Sequence, residues 1–160
     1  MKNQKQISQE TLNSLLEQIK TTPEGTELIE KNGDAFTISD GLDTTSHGSL
    51  NFGGVIGWKV RLQMGEDADY LEYECSGTGV VAGGGAFEVE GHFERSPKKI
   101  IEIEYINCML ATLGGGEGNV LLILYVPGGQ MAAWFLGAGA SAGAGVVHGI
   151  GGGAASNPPS

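Results

Sequence analysis

With 160 residues, 40% of them apolar, the chain is long enough for one packed domain and too hydrophobic to be disordered throughout. Its 28 glycines are roughly two and a half times the usual ~7% share and lack a collagen period, which excludes a helical bundle and favours an all-β fold. Nine Lys plus Arg against nineteen Asp plus Glu give a net charge of −10, which repels phosphate backbones and excludes nucleic acid as a partner.

The chain opens on a polar stretch with no apolar core or small-residue cleavage site, so no Sec signal is expected. The protein is then either cytoplasmic or secreted by a route without such a signal. Leu12, Leu15, Leu16 and Ile19 recur at helical spacing after Ser8, a residue suited to cap a helix. The stripe is narrow and flanked by Gln, Asn, Glu and Lys, as expected of a surface or contact helix. Thr22-Pro23 starts a second short helix carrying Leu28 and Ile29, which Gly33 closes. Residues 1–33 are thus read as a helical, variable segment, 34–156 as a β domain and 157–160 as a tail.

Beyond Gly33 the apolar period changes from about 3.6 to 2. Strands are predicted at Ala35–Ser39, Val55–Met64, Tyr70–Cys75, Ala86–Glu94 and Ile101–Tyr105. The clearest alternates Phe87, Val89, Gly91 and Phe93 with Glu88, Glu90, His92 and Glu94, which implies one dry face and one wet face. After Glu117 the chain holds no Asp, Glu, Lys or Arg. Here Val120–Val126 and Gln130–Ala138 read as a hairpin of buried strands around Pro127-Gly128-Gly129, followed by a small-residue closing strand. A membrane helix over Met131–Val147 is disfavoured by its glycines. The expected fold is therefore all-β with a short N-terminal helical segment. Its main part is a compact eight-stranded antiparallel β-barrel, filled by Phe87, Val89, Phe93, Ile103, Leu122 and Trp134.

The chemistry-bearing residues form no catalytic pattern. His47, His92 and His148 are far apart in sequence and share no metal-ligand spacing, and no nucleophile, zinc or phosphate-loop motif is present. Cys75 and Cys108 either pair in an oxidising compartment or, the preferred reading, are two buried thiols. Gly83–Gly85, Gly114–Gly116 and Gly151–Gly153 are read as turns or bulges. Glu88, Glu90, Glu102 and Glu104 are carboxylates on solvated strand faces. No catalytic, cofactor-binding or metal-binding residue is assigned, no cofactor is expected, and the chain is read as a non-enzyme.

Two glycine-spaced segments, Gly77–Phe87 (GTGVVAGGGAF) and Gly137–Ala155 with its Gly149-Ile150-Gly151-Gly152-Gly153 run, resemble the virulence-associated protein family of the VapA/VapB type. IEIEYIN at Ile101–Asn107 and VLLILYV at Val120–Val126 fall between them in the family's order. The resemblance covers roughly Tyr70 to Ser156. It implies a tightly filled eight-stranded barrel and a non-enzymatic bacterial virulence factor that contacts host membranes, host lipids or host proteins. On that reading the Glu rows lose charge at endosomal pH, and the uncharged Gly118–Ser160 segment supplies apolar contact. A second reading rests on Val80–Phe87, which loosely resembles the glycine-phenylalanine motif of dirigent and allene-oxide-cyclase barrels. It implies a small-ligand or cyclase-type barrel with an apolar cavity. A third is a cytoplasmic interaction module, oligomeric through Leu12–Ile19.

Overall fold

The computed structural model describes residues 9–33, 36, 47–54, 58–64, 71–80, 85–94, 99, 102, 106–126, 130–141 and 145–151. Within 47–54, 58–64, 71–80 and 145–151 it describes the backbone and its pairing. Two helices come first, α1 (Gln9–Ile19) and α2 (Pro23–Asn32). Both follow from the sequence pattern. Leu12, Leu15, Leu16 and Ile19 are the buried stripe of α1. The Thr22 hydroxyl caps α2 by accepting the Gly25 N–H at 3.0 Å, and Pro23 fills the first turn, where its missing N–H is not needed. Gly33 ends α2 in ordinary right-handed backbone (φ −54°), so it acts as a stop without a left-handed cap.

Seven strands follow: β1 (His47–Gly54), β2 (Trp58–Met64), β3 (Leu71–Val80), β4 (Gly85–Phe93), β5 (Ile106–Tyr125), β6 (Met131–Ser141) and β7 (Gly145–Gly151). All described pairings are antiparallel. Traced by partner, the order is β1-β2-β3-β7-β5-β6-β4, and β4 pairs in turn with β1. Traced by register, this circuit differs from the expected barrel. The pairs Gly116↔Ser141 at the end of β6 and Thr112↔Gly145 at the start of β7 are four residues apart on both sides, so β6 and β7 lie end to end along β5 in one register. In the same way Val80↔Val146 and Phe87↔Gly139 are seven apart on both sides, so β3 and β4 continue each other along β7 and β6.

These registers correct the eight-stranded barrel. Among the described residues there are seven strands, and the ladder stops at β5, leaving the sheet β4-β6/β7-β5 open along that strand. The strand count differs for identifiable reasons. Val120–Val126, expected as a separate strand, supplies the last six residues of the 20-residue β5, which ends at Tyr125 and runs straight through Gly114-Gly115-Gly116. Of the predicted strand Ile101–Tyr105, Glu102 lies in a turn and the rest falls outside the described residues. Ala35–Ser39 also falls outside them, apart from Phe36, which lies in a bend. Gained instead is β1, whose sequence HGSLNFGG hides its alternation among three glycines and polar residues.

The core is also not the self-filled interior expected. On β5 and β6, Met109, Ala111, Leu121, Ile123, Tyr125, Met131, Trp134 and Leu136 join Leu12, Leu15, Leu16, Ile19, Leu28 and Phe36 in one buried cluster. The register puts Trp134 opposite Ile123 and His92, on this helix-covered face, and puts Phe135 beside Leu122 on the other. Trp134 therefore does not pack with Leu122, Phe87 and Val89, as the barrel reading requires. Leu121, Leu122, Ile123 and Leu124 are each fully buried, because both faces of β5 are covered there. Such two-sided burial is why VLLIL has no polar alternation. Helix α1 packs chiefly along β5.

Polar contacts fix the helices in place. The Tyr125 hydroxyl donates to Glu24 Oε2 at 2.6 Å, and the Met131 N–H donates to Asn32 Oδ1 at 3.2 Å. Asn32 Nδ2 in turn donates to the Leu28 carbonyl at 2.8 Å. Gln9 Nε2 donates to the Phe36 carbonyl at 3.3 Å, which ties the residues after α2 back to the start of α1.

Gly137 marks a close approach between β6 and β4. A Cβ built there would lie 2.1 Å from the Glu88 carbonyl oxygen and 2.6 Å from Val89 Cγ1. Backbone of a paired strand cannot move aside cheaply, so Gly137→Ala is expected to destabilise by about 1–3 kcal/mol, the range for overpacking. Thermal unfolding of the variant checks this; an unchanged midpoint would show that β4 and β6 can separate there without loss.

Candidate functional site on the β4 face

β4 carries the densest set of chemistry-bearing side chains. Its alternation puts Glu88, Glu90 and His92 on the face that holds Trp134. Glu88 and, just past the strand, Glu94 are exposed, as the sequence pattern implied. His92 is 28% exposed and Glu94 40%. Their Nε2 and Oε2 atoms lie 2.6 Å apart, with the imidazole donating. The Glu94 N–H donates to the Ala132 carbonyl at 2.9 Å, which fixes the carboxylate's backbone to the start of β6.

Aromatic packing sets the ring. His92 and Trp134 have centroids 5.8 Å apart at 37°, and Phe36 lies 6.3 Å from the same indole. Trp134 is fully buried between helices and sheet. His92 thus rests its ring against the edge of the core while its polar end meets Glu94 near solvent. Sequence alternation located the row, but not the tryptophan beneath it, since Trp134 lies 42 positions away and meets His92 only through the β4–β6 register.

The other singled-out residues are distributed as follows. His47 opens β1, opposite Glu90. His148 is in β7, opposite Thr78 and Met109, so it belongs to a different part of the ladder. The structure therefore brings two of the three histidines to adjacent strands, a proximity that their separation in sequence concealed. Glu102 is exposed in a turn, and Glu104 falls outside the described residues. Cys108 is fully buried in β5 and is disulfide-bonded; Cys75, in β3, is the chain's only other cysteine. The reading of two separate thiols is corrected accordingly. Thiol spacing alone carried no signal for the pair, because it depends on the long-range course of β3 and β5.

The uncharged segment proposed to meet membranes is packed away where it is described. Val120–Tyr125 and Met131–Gly137 are buried throughout. No helix among the described residues is long and apolar enough to cross a membrane. The exposed charge is instead predominantly acidic: Glu10 and Glu17 on α1, Glu24, Glu27 and Glu30 on α2, and Glu88, Glu94 and Glu102 beyond them, against Lys20, Lys31 and Lys99. Two of these lysines are partnered locally, Lys20 with Glu17 at 3.4 Å and Lys31 with Glu27 at 3.5 Å.

The chain matches no known family model, no curated protein and no solved structure.

Proposed function

We propose that this chain is a non-catalytic interaction protein, similar in role to the bacterial virulence-associated factors that its glycine-spaced motifs resemble. Its partner is a host protein with a cationic surface. The observation that carries this reading is the sign and position of the exposed charge. The apolar strands of β5 and β6 are enclosed, and the outer surfaces of α1, α2 and β4 present mainly carboxylates. Such a surface attracts a basic patch, accelerates encounter with it and repels anionic lipid at neutral pH. The bonded Cys108 supports maturation where disulfides persist, outside a reducing cytoplasm.

Retention of the full chain on immobilised poly-L-lysine, followed against salt, tests the reading beside flotation with phosphatidylserine vesicles at pH 7 and pH 5. Expected is salt-sensitive retention that falls severalfold in a Glu10→Gln/Glu30→Gln/Glu88→Gln variant, with no flotation at either pH. Retention unchanged by the three substitutions would move the contact away from this surface. Flotation with the vesicles would replace the protein partner by a membrane.

A further inference from the structure

One asparagine in the chain is followed by glycine, and the structure puts that pair, Asn32-Gly33, where α2 ends. Asn32 is the last residue of the helix and is half-buried. Its amide is bound on both sides. Oδ1 accepts the Met131 N–H at the start of β6 at 3.2 Å, and Nδ2 donates to the Leu28 carbonyl at 2.8 Å. The amide therefore joins α2 to the sheet and ties back a carbonyl one turn earlier in the same helix.

Gly33 follows in open surroundings. It is exposed, its backbone is right-handed at φ −54°, and a Cβ built on it would meet nothing within 4 Å. Having no side chain, it leaves its own amide nitrogen unshielded next to the Asn32 side-chain carbonyl. While the last turn of α2 is formed, the two hydrogen bonds hold Asn32 Cγ in place. Helix ends open locally, and each opening releases the amide to the neighbouring nitrogen.

We propose that Asn32 is a site of spontaneous deamidation, with water as co-reactant, and that its conversion loosens α2 from β6. The Gly33 nitrogen gives its proton to base in the solvent and adds to Asn32 Cγ. The Cγ–Nδ2 bond breaks, and Nδ2 leaves as ammonia with a proton from water, which closes a succinimide ring. Water then adds to one of the two ring carbonyls and opens the ring. Opening at the side-chain carbonyl restores the main chain with aspartate at position 32. Opening at the main-chain carbonyl routes the chain through the side chain, as isoaspartate. The sum converts amide and water into carboxylic acid and ammonia, with no change of oxidation state.

Each product undoes part of the tie. Aspartate keeps an acceptor for Met131 but has no donor for Leu28, and it places a negative charge at the negative end of α2. Isoaspartate adds a CH2 to the main chain just ahead of Gly33, whose carbonyl accepts the Phe36 N–H at 3.2 Å. That shifts the turn leading to Phe36, the ring beside Trp134.

The test is incubation of the full chain in warm, mildly alkaline buffer, read by ion exchange, peptide mass mapping and methyl uptake from an isoaspartyl methyltransferase. Expected is a form with one added negative charge, located at Asn32, with methyl uptake that grows with time. Asn13, exposed on α1 and followed by Ser14, should stay intact over the same period. Gly33→Ala fits the open space and right-handed backbone, so it should fold as the parent does and slow conversion by about tenfold or more. Asn32→Asp should melt about 2–5 °C below the parent. A chain that stays unmodified, a rate that Gly33→Ala leaves unchanged, or earlier conversion at another asparagine would overturn the site. An Asn32→Asp midpoint equal to the parent's would overturn the loosening of α2.

Discussion

Reduction of the disulfide is expected to lower stability by about 3–4 kcal/mol, the chain-entropy value for a closed loop of roughly 30 residues. Cys108 is bonded, and the chain has two cysteines, so the loop runs from β3 through β4 into β5. That loop contains all of β4, whose pairings to β1 and β6 join strands distant in sequence. Opening it returns conformational freedom to a segment that otherwise has to find both partners from a longer chain. For a domain of this length, about 2–4 °C of midpoint per kcal/mol gives a fall on the order of 10 °C. Melting with and without dithiothreitol checks this. Cys108→Ala should reproduce the reduced midpoint and make it insensitive to reductant. A midpoint that does not move on reduction would mean that the β3–β5 link is carried by packing alone.

The sequence showed some of this architecture and concealed the rest for physical reasons. Both helices are legible because their signals are local. Leu12, Leu15, Leu16 and Ile19 lie on one stripe, and Thr22-Pro23 is a start signal wherever it occurs. β4 is legible because Glu and apolar residues alternate across a wet and a covered face. By contrast β1 has glycine or a small polar residue at most positions, so pairing with β2 and β4 makes it a strand more than its own pattern does. Reading VLLILYV as a separate strand broke β5 at its glycines, which are the residues that allow a strand to be crossed closely. Trp134 was assigned to the wrong face because MAAWFL has no polar residue to reveal which side faces the helices. The β4 row was visible, but its neighbours His47 and Trp134 are contributed by register, a property that alternation within one strand does not encode.

Removal of the helices is expected to have the larger effect, because they close a face that the sheet cannot close itself. Leu12, Leu15, Ile19 and Leu28 are at most 1% exposed, and Leu16 is 8% exposed. At about 1.5–3 kcal/mol for each buried aliphatic side chain, these five contribute on the order of 10 kcal/mol, comparable with the whole net stability of a typical domain. The loss is two-sided, since Met109, Leu121, Ile123, Met131, Trp134 and Leu136 lose their cover at the same time. A chain beginning at Asp34 should therefore aggregate or bind hydrophobic dye strongly, and the full chain, with that face covered, should do neither. Point substitutions grade the effect. Leu15→Ala should cost about 2–5 kcal/mol and Trp134→Ala about 3–5 kcal/mol, each by leaving a cavity between helix and sheet. A helix that served only as a contact arm would give the opposite result, with the shortened chain monomeric and melting at the parent's temperature. The polar ties argue against that outcome. The Met131 N–H at the start of β6 has its acceptor in Asn32, and the buried-side hydroxyl of Tyr125 has its acceptor in Glu24. Deleting the helices leaves both donors without those partners, at roughly 1–3 kcal/mol for each that stays buried. Residues 9–33 thus behave as a structural wall of the sheet, and the acidic surface they present is held as firmly as the strands beneath it.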